Sequence, residues 1–481
     1  MVQTTGEPLL SEGKPVTAEK TFVPEKPDGT VELSFIFDSR AVAGDTIVAF
    51  EEVSYQGIPV AAHTDLEDQE QSVAYPDLQT EAICKETGNQ QVAVGEKSQI
   101  LDQVSLKNLL PGESYTLRGK LVDVETGKIL TVGEEEAVAE HSFTAERAEE
   151  IQEMMFSLDT TAIRGKTLVV YEYLLYQDVI VASHADRFDE NQTVYVPELQ
   201  TTALDQETNS HTGAVKDQAV ITDVVNYKNL IPGREYTVSG KLMVKETGEA
   251  LLQEGEPVTA ETTFTPEEPA GSVTLTYSVD SSLLSGQTVV VFEDLIQDGI
   301  TLLSHADLED EEQSIYYPII RTEARVSGSH TAVPAGNTEL VDTVSYKNLI
   351  AGCDYTIQGT LMNMDTGEAL LVHGKEVTAS RTFTAEEPDG TVEVSFTFDA
   401  SGLAGKTVVV YERMYHNNVF VAGHEELEDE AQAVYFEVPP QKPDDHPQTG
   451  DPFEISGILT GIALAISGSC FFMNQRRKLR K

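Results

Sequence analysis

Four chemically reactive side chains recur along this 481-residue chain with a period of about 121 residues. Each set has a Glu, a His twelve residues later, and an Asp and a Gln five and eight residues after the His. A His can accept a proton near neutral pH, two close carboxyl groups share one proton, and polarising an amide oxygen makes its carbon electrophilic. The sets are Glu51, His63, Asp68, Gln71; Glu172, His184, Asp189, Gln192; Glu293, His305, Asp310, Gln313; and Glu412, His424, Asp429, Gln432.

A threonine stands at the other end of each complete copy. Thr80, Thr201 and Thr322 lie 112, 112 and 110 residues before the Gln of the same copy, in what reads as the first strand. First and last strands of antiparallel sandwiches commonly lie side by side. The spacing therefore predicts a Thr that faces a Gln across adjacent strands.

The elements that hold these residues read as β-strands. Apolar and polar residues alternate over 273–279 and 392–398, which is the period of a strand with one buried face. Turn residues recur densely, and no long helical periodicity occurs before residue 450. We expect an all-β protein of tandem immunoglobulin-like antiparallel β-sandwich domains, joined by very short junctions into a stiff rod.

The period places complete copies at 77–197, 198–318 and 319–439. Residues 1–76 form an incomplete copy, because Met1-Val2 aligns with Met243-Val244. We expect this first copy to lack the Thr partner and to be less stable than the others.

The copies resemble the VaFE-type Thr-Gln ester-bond domains of bacterial surface proteins and pilins. Val-Ala-Phe-Glu stands at 48–51, with close variants ending at Glu172, Glu293 and Glu412. The resemblance implies an autocatalytic ester between the Thr hydroxyl and the Gln side-chain carbonyl, with loss of ammonia. The implied pairs are Thr80 with Gln192, Thr201 with Gln313, and Thr322 with Gln432.

The residue types give each set a hypothetical mechanism. A Thr hydroxyl attacks poorly until a base removes its proton, so we expect His184, His305 and His424 to act as general bases. The product stays in the chain, so each site turns over once and the protein is not an enzyme. We expect each Glu and following Asp to share a proton, polarise the Gln carbonyl and help ammonia leave: Glu172 with Asp189, Glu293 with Asp310, and Glu412 with Asp429.

The net charge of the chain limits the classes of partner that it can bind. The chain has 32 Lys and Arg against 81 Asp and Glu, a net charge of −49, and is therefore repelled by nucleic acid and anionic lipid. No loop follows the calcium-binding pattern and no His cluster suits zinc, so we expect no metal or other cofactor. Cys84, Cys353 and Cys470 occupy non-equivalent positions and encode no disulfide framework.

The tail changes character. A polar spacer at 440–452 precedes an apolar stretch at 453–473, long enough to cross a bilayer, and a basic end at 474–481 that should stay cytoplasmic. This layout resembles the sortase sorting signal of Gram-positive surface proteins, Leu-Pro-x-Thr-Gly, with His in place of Leu. The corresponding residues are His446, Pro447, Gln448, Thr449 and Gly450.

That resemblance implies a membrane-inserted precursor. Sortase would cut it between Thr449 and Gly450 and attach Thr449 to cell-wall peptidoglycan or a pilus subunit. We therefore expect a wall-anchored surface stalk or pilin-like protein that presents an adhesive head. An adhesin whose repeats themselves bind a host surface ligand is the alternative.

Two other chemistries stay open at the level of sequence. A Lys–Asn isopeptide bond also loses one ammonia, and Lys107, Lys228 and Lys347 each precede an Asn. Glu, His and Asp could also serve a hydrolase, but no Ser or Cys nucleophile recurs at a fixed offset from them.

Overall fold

The computed structural model describes residues 1–440. Within it, Met1–Glu437 forms one compact unit built from strands and single turns of 3-10 helix, which confirms the all-β prediction. No helix in residues 1–440 is long and apolar enough to span a bilayer. The sorting motif at 446–450 and the predicted membrane helix at 453–473 lie outside the described residues.

Residues 198–318 illustrate a complete copy made of two sheets. The first is antiparallel and has the order Glu198–Asp205, Ala219–Lys228, Gly271–Val279. The second contains Thr259–Phe264, Tyr236–Val244, Thr288–Gln297 and Ile300–His305 in that order, with Ser314–Tyr316 also paired to Thr288–Gln297. Short strands at Glu249–Ala250, Leu252–Gln253 and Glu256–Pro257 and 3-10 turns at Ser281–Leu283 and Glu311–Gln313 complete the copy.

The other complete copies repeat this plan. The earlier one contains Asp77–Cys84, Ser98–Lys107, Ser114–Asp123, Thr131–Val132, Glu135–Glu136, Val138–Thr144, Glu150–Leu158, Thr167–Tyr176, Val179–His184 and Thr193–Tyr195, with 3-10 turns at Thr161–Ile163 and Glu190–Gln192. The later one contains Ile319–Val326, Thr331–Ala332, Thr338–Lys347, Asp354–Asn363, Glu368–Ala369, Leu371–Val372, Lys375–Glu376, Thr378–Thr384, Gly390–Phe398, Thr407–His416, Val419–His424 and Ala433–Phe436.

Each complete copy encloses its own hydrophobic core between the two sheets. Strand Gly271–Val279 buries Leu275, Tyr277 and Val279 and exposes the residues between them, as its alternation predicts. Burial of apolar area at about 25 cal/mol per Å² drives this packing. One core per copy explains why the sequence repeats as a unit.

The first strand of each copy connects the two sheets at one edge. Glu198–Asp205 is the edge strand of the first sheet, and it lies against the 3-10 turn Glu311–Gln313 and the last strand Ser314–Tyr316 of the second sheet. The Gln therefore lies in the turn before the last strand, and not in that strand as its spacing had predicted. The first strand still brings the Thr to this turn.

The first copy is more open. It contains Leu10–Ser11, Lys14–Pro15, Thr46–Val48, Glu51–Tyr55, Ile58–His63 and Ser72–Ala74, with 3-10 turns at Ser39–Val42 and Gln69–Gln71. Every residue of Ile58–His63 is exposed, whereas the corresponding strand Val419–His424 has three buried residues.

Candidate crosslinking site

A hairpin sets Glu and His opposite each other in each complete copy. Glu172 pairs with His184, Glu293 with His305 and Glu412 with His424 as direct cross-strand neighbours. Each hairpin has a tight turn and one register shift; the turn residues Asn417 and Asn418 both have positive φ, 48° and 65°, as such hairpin turns require. The twelve-residue spacing between Glu and His is therefore the length of chain that leads from one strand, through the turn of a bulged hairpin, to the opposite position on the other strand.

The Asp that follows each His orients the imidazole ring. His184, His305 and His424 place Nε2 at 2.6, 3.0 and 3.2 Å from Oδ2 of Asp189, Asp310 and Asp429. The other oxygen of each Asp accepts a main-chain N–H two residues later, at 2.8, 2.9 and 2.8 Å. Because Nε2 faces a carboxylate, it carries the ring proton, and Nδ1 is left as the acceptor.

Nδ1 points at the threonine in two copies. Thr201 Oγ1 lies 2.8 Å from His305 Nδ1, and Thr322 Oγ1 lies 3.3 Å from His424 Nδ1. Thr80 Oγ1 is buried without a hydrogen-bond partner. A hydroxyl on a His that is held by a carboxylate has the layout of an activated nucleophile.

The glutamine reaches this hydroxyl in the last copy. Gln432 Nε2 lies 2.6 Å from Thr322 Oγ1 and 3.1 Å from Glu412 Oε2, and Gln432 is fully buried. Gln192 and Gln313 are also buried, and their Nε2 atoms donate to Asp102 and Asp223 at 3.3 Å. In the last copy the structure thus gathers the Thr, His, Glu and Gln from opposite ends of the copy into one buried cluster.

The structure corrects the predicted carboxyl pairs. Each buried Glu lies beside an Asp of the second strand, which the sequence did not reveal, while the Asp that follows the His contacts the His instead. Asp189, Asp310 and Asp429 are partly exposed. The observed pairs are Glu172 with Asp102, Glu293 with Asp223, and Glu412 with Asp342.

Burial determines the proton content of these pairs. Desolvation first, and the neighbouring Asp second, raises the pKa of Glu172, Glu293 and Glu412 well above the usual range for Glu. Desolvation also raises the pKa of the three Asp partners. Each pair therefore keeps a proton at neutral pH beside the Gln side chain.

One signal in the sequence could have revealed these aspartates. Strand Ser98–Lys107 buries every second residue, and Asp102 stands on that buried face between Ile100 and Val104. An Asp recurs there at 223 and 342. A recurring carboxyl on the apolar face of a strand needs a buried partner, and the periodic Glu supplies it.

Two other groups of His and carboxyl side chains do not form a complete crosslinking site or a separate metal site. His63 in the first copy bonds Asp68 at 2.6 Å, but His63 is exposed and Glu51 is half-buried. His424, Glu426 and Asp429 offer ligand atoms within 4.8 Å of one another. Since His424 and Asp429 already bond each other, this cluster gives no separate reason to place a metal.

The model of the T-Q ester bond containing domain matches the chain four times, over residues 1–75, 76–196, 197–317 and 318–436. A solved bacterial adhesin from Mobiluncus mulieris, described as containing intramolecular disulfide, isopeptide, and ester bond cross-links, is 15% identical over 52% of this chain and 89% of its own, with a TM-score of 0.25.

A putative β-galactosidase from Bacteroides fragilis is 11% identical over 44% of this chain and 33% of its own, with a TM-score of 0.18. No curated protein matches the chain. The four family matches together span all of residues 1–436. The chain therefore belongs to the family of proteins built from T-Q ester bond domains.

Proposed function

We propose that each complete copy joins its Thr to its Gln through an ester bond, and that the chain is a self-crosslinked stalk on a bacterial cell surface. The cluster in the last copy carries the proposal. There Thr322 Oγ1 lies 2.6 Å from Gln432 Nε2, within reach of His424 Nδ1 at 3.3 Å and Glu412 Oε2 at 3.2 Å. A nucleophile, a base and an acid thus meet at one amide.

The proposed reaction moves one proton in each direction. Thr322 Oγ attacks Cδ of Gln432 while His424 Nδ1 takes the hydroxyl proton. The shared proton of Glu412 and Asp342 passes to the departing nitrogen, Gln432 Nε2, which lies 3.1 Å from Glu412 Oε2. The C–N bond breaks, ammonia leaves, and the proton on His424 restores the carboxyl pair. Each site turns over once.

An ester fits these contacts better than a Lys–Asn bond. Lys107, Lys228 and Lys347 are exposed. The side-chain amides of the following asparagines donate to main-chain carbonyls of the preceding copy, and not to a buried carboxyl. The charged amine and the activating acid of an isopeptide site are therefore apart.

Intact mass and a Thr substitution test the ester. The full chain should be lighter than its sequence mass by one ammonia for each ester formed. Thr322→Ala should remove one of these losses, because the attacking oxygen is gone. Thr397→Ala, at an exposed position on strand Gly390–Phe398 of the same copy, should leave the loss unchanged.

Hydroxylamine separates an ester from an amide crosslink, because it cleaves esters under conditions that leave isopeptides intact. After proteolysis, the peptides that contain Thr322 and Gln432 should be joined, and hydroxylamine should part them. An unchanged ammonia loss in Thr322→Ala would exclude the proposed ester.

A stalk is the role that such crosslinks suit. By analogy with disulfides that close loops of this length, each ester would stabilise its copy by about 4–5 kcal/mol. Its larger effect is mechanical, because it ties the two ends of the copy together covalently. We propose that the copies support an adhesive or pilus-forming part at the bacterial surface.

We also propose sortase anchoring, supported by the order of motif, apolar stretch and basic end in the tail. Protein released enzymatically from the wall should end at Thr449 joined to wall material. An intact C-terminus at Lys481 in that fraction would contradict this proposal.

A further inference from the structure

Consecutive crosslinking sites are separated by very little chain. Only residues 193–200 lie between Gln192 and Thr201, and only residues 314–321 lie between Gln313 and Thr322. With the esters in place, tension would bypass the interior of each copy and pass through these two segments. This step rests on the proposed function, whereas the contacts described next do not.

An asparagine of the incoming copy binds the end of each preceding copy. Asn348 Nδ2 donates to the carbonyls of Gln287 at 2.9 Å and Tyr317 at 3.2 Å, and its Oδ1 accepts from Thr288 Oγ1 at 3.1 Å. These atoms belong to 198–318, whereas Asn348 belongs to the next copy. One side chain thus bridges two domains by three hydrogen bonds.

The same arrangement occurs at the first junction, two junctions earlier. Asn108 Nδ2 donates to the carbonyls of Asp45 at 2.7 Å and Tyr75 at 3.2 Å, and its Oδ1 accepts from Thr46 Oγ1 at 3.1 Å. At the middle junction Asn229 Nδ2 donates to the Val196 carbonyl at 3.3 Å. The Tyr75, Val196 and Tyr317 carbonyls each belong to the peptide bond preceding Pro76, Pro197 and Pro318, which leads directly into the next copy.

The backbone of these asparagines also points to a specific role. Asn108, Asn229 and Asn348 have φ of 56°, 60° and 62°, a left-handed conformation that Asn tolerates better than most other side chains. This conformation turns the chain between the second and third long strands while the amide reaches across the junction. The residue type therefore serves both the turn and the contact.

A second buried contact reinforces the middle junction. Gln91 of the preceding copy is fully buried; its Nε2 donates to the Asn229 carbonyl at 3.0 Å. Its Oε1 accepts from Tyr236 Oη at 2.8 Å and from the Ile231 N–H at 3.2 Å. At the next junction Thr212 Oγ1 lies 3.1 Å from Tyr355 Oη. Buried polar groups tolerate little displacement, because each lost partner costs about 1–3 kcal/mol.

We propose that Asn108, Asn229 and Asn348 are latches that fix the angle between consecutive copies, and that Asn229 and Asn348 also clamp the two short segments that carry load between consecutive esters. The surface that contains these asparagines recognises one partner, the C-terminal end of another T-Q ester bond domain. The family resemblance accounts for crosslinks within copies, whereas these latches account for order between copies.

Spin-label distances between neighbouring copies test the latch. Spin labels are attached at positions 157 and 278 through the substitutions Ser157→Cys and Ser278→Cys. Both serines are exposed on equivalent strands of adjacent copies. The background is the full chain with its native cysteines replaced by alanine. The parent should give one narrow distance distribution. Asn229→Gly should broaden or shift it, because glycine keeps the left-handed turn but has no amide. The matched control Asn226→Ala, on the exposed face of the strand that immediately precedes Asn229, should keep the narrow distribution.

Gln91→Met provides a second variant of similar length that removes the polar contacts from the other side of the junction. It should broaden the distribution as Asn229→Gly does. Distributions as narrow as the parent's in both variants would overturn the latch. Ammonia loss is measured on the same samples, so that the two proposals are tested separately. A parent chain that has lost no ammonia would refute the esters, while the spin-label distances would still decide whether the latch exists.

Discussion

At the scale of single residues, the site depends on where each carboxyl lies. The Asp after each His is partly exposed and contacts Nε2 of the ring, so it can hold the ring tautomer that leaves Nδ1 free for Thr. The Glu and Asp of the strand interiors are buried and retain a proton, so they can serve as the acid. One residue type thus fills two roles, and burial decides which.

A pH dependence of stability follows from the retained protons. In a chain with Thr80, Thr201 and Thr322 all replaced by alanine, the folded copies should hold protons on Glu172, Glu293 and Glu412 that the unfolded chain has released above the ordinary Glu pKa of 4.5. Rising pH favours the state with fewer protons, so the free energy of unfolding should fall between about pH 5 and pH 8.

Hydrogen exchange in mild denaturant, read from peptides of strand Thr407–His416, measures this fall within the last copy. Adding Glu412→Gln removes one retained proton and should flatten the dependence in that copy while leaving it in 198–318. An equally steep fall with and without this substitution would show that Glu412 is ionised in the fold.

At the scale of strands and turns, the sequence supported the all-β prediction because alternation at period two reports one buried face directly. The sequence also placed Glu and His in one recurring set. This grouping holds in the fold because two residues at a fixed spacing within a hairpin become cross-strand neighbours. The sequence did not predict that Asp102, Asp223 and Asp342 pair with the buried Glu residues. Which strand faces the Glu across the core depends on how the two sheets pack, and the sequence pattern does not report that packing. It also placed Gln in the last strand, because a single 3-10 turn leaves no periodic signal.

A glycine opposite each Glu shows how closely the sheets pack at the site. Gly359 pairs with Glu412 across the strands, and a Cβ there would lie 2.5 Å from Cζ of Phe396 on the facing sheet. Gly359→Ala should therefore push the ring away, destabilise the copy by about 1–3 kcal/mol and slow ester formation by disturbing Glu412.

Exchange rates of the 319–436 peptides and the time course of ammonia loss measure both effects of Gly359→Ala. Gly402→Ala is the control, because a Cβ there meets open space in an ordinary backbone conformation. Equal behaviour of the two variants would mean that the core yields without cost.

At the scale of the whole molecule, esters and latches act on different parts of one load path. Esters would keep the interior of each complete copy out of that path, and latches would hold the short segments that remain in it.

Single-molecule stretching of the full chain compares these parts directly. In the crosslinked chain, the three complete copies should not unfold under tension, because the load enters and leaves each of them through its ester. With Thr80, Thr201 and Thr322 replaced by alanine, each complete copy should instead unfold in a separate step of roughly 400 Å, the extended length of its residues. Large steps from the complete copies of the crosslinked chain would mean that the esters do not carry the load.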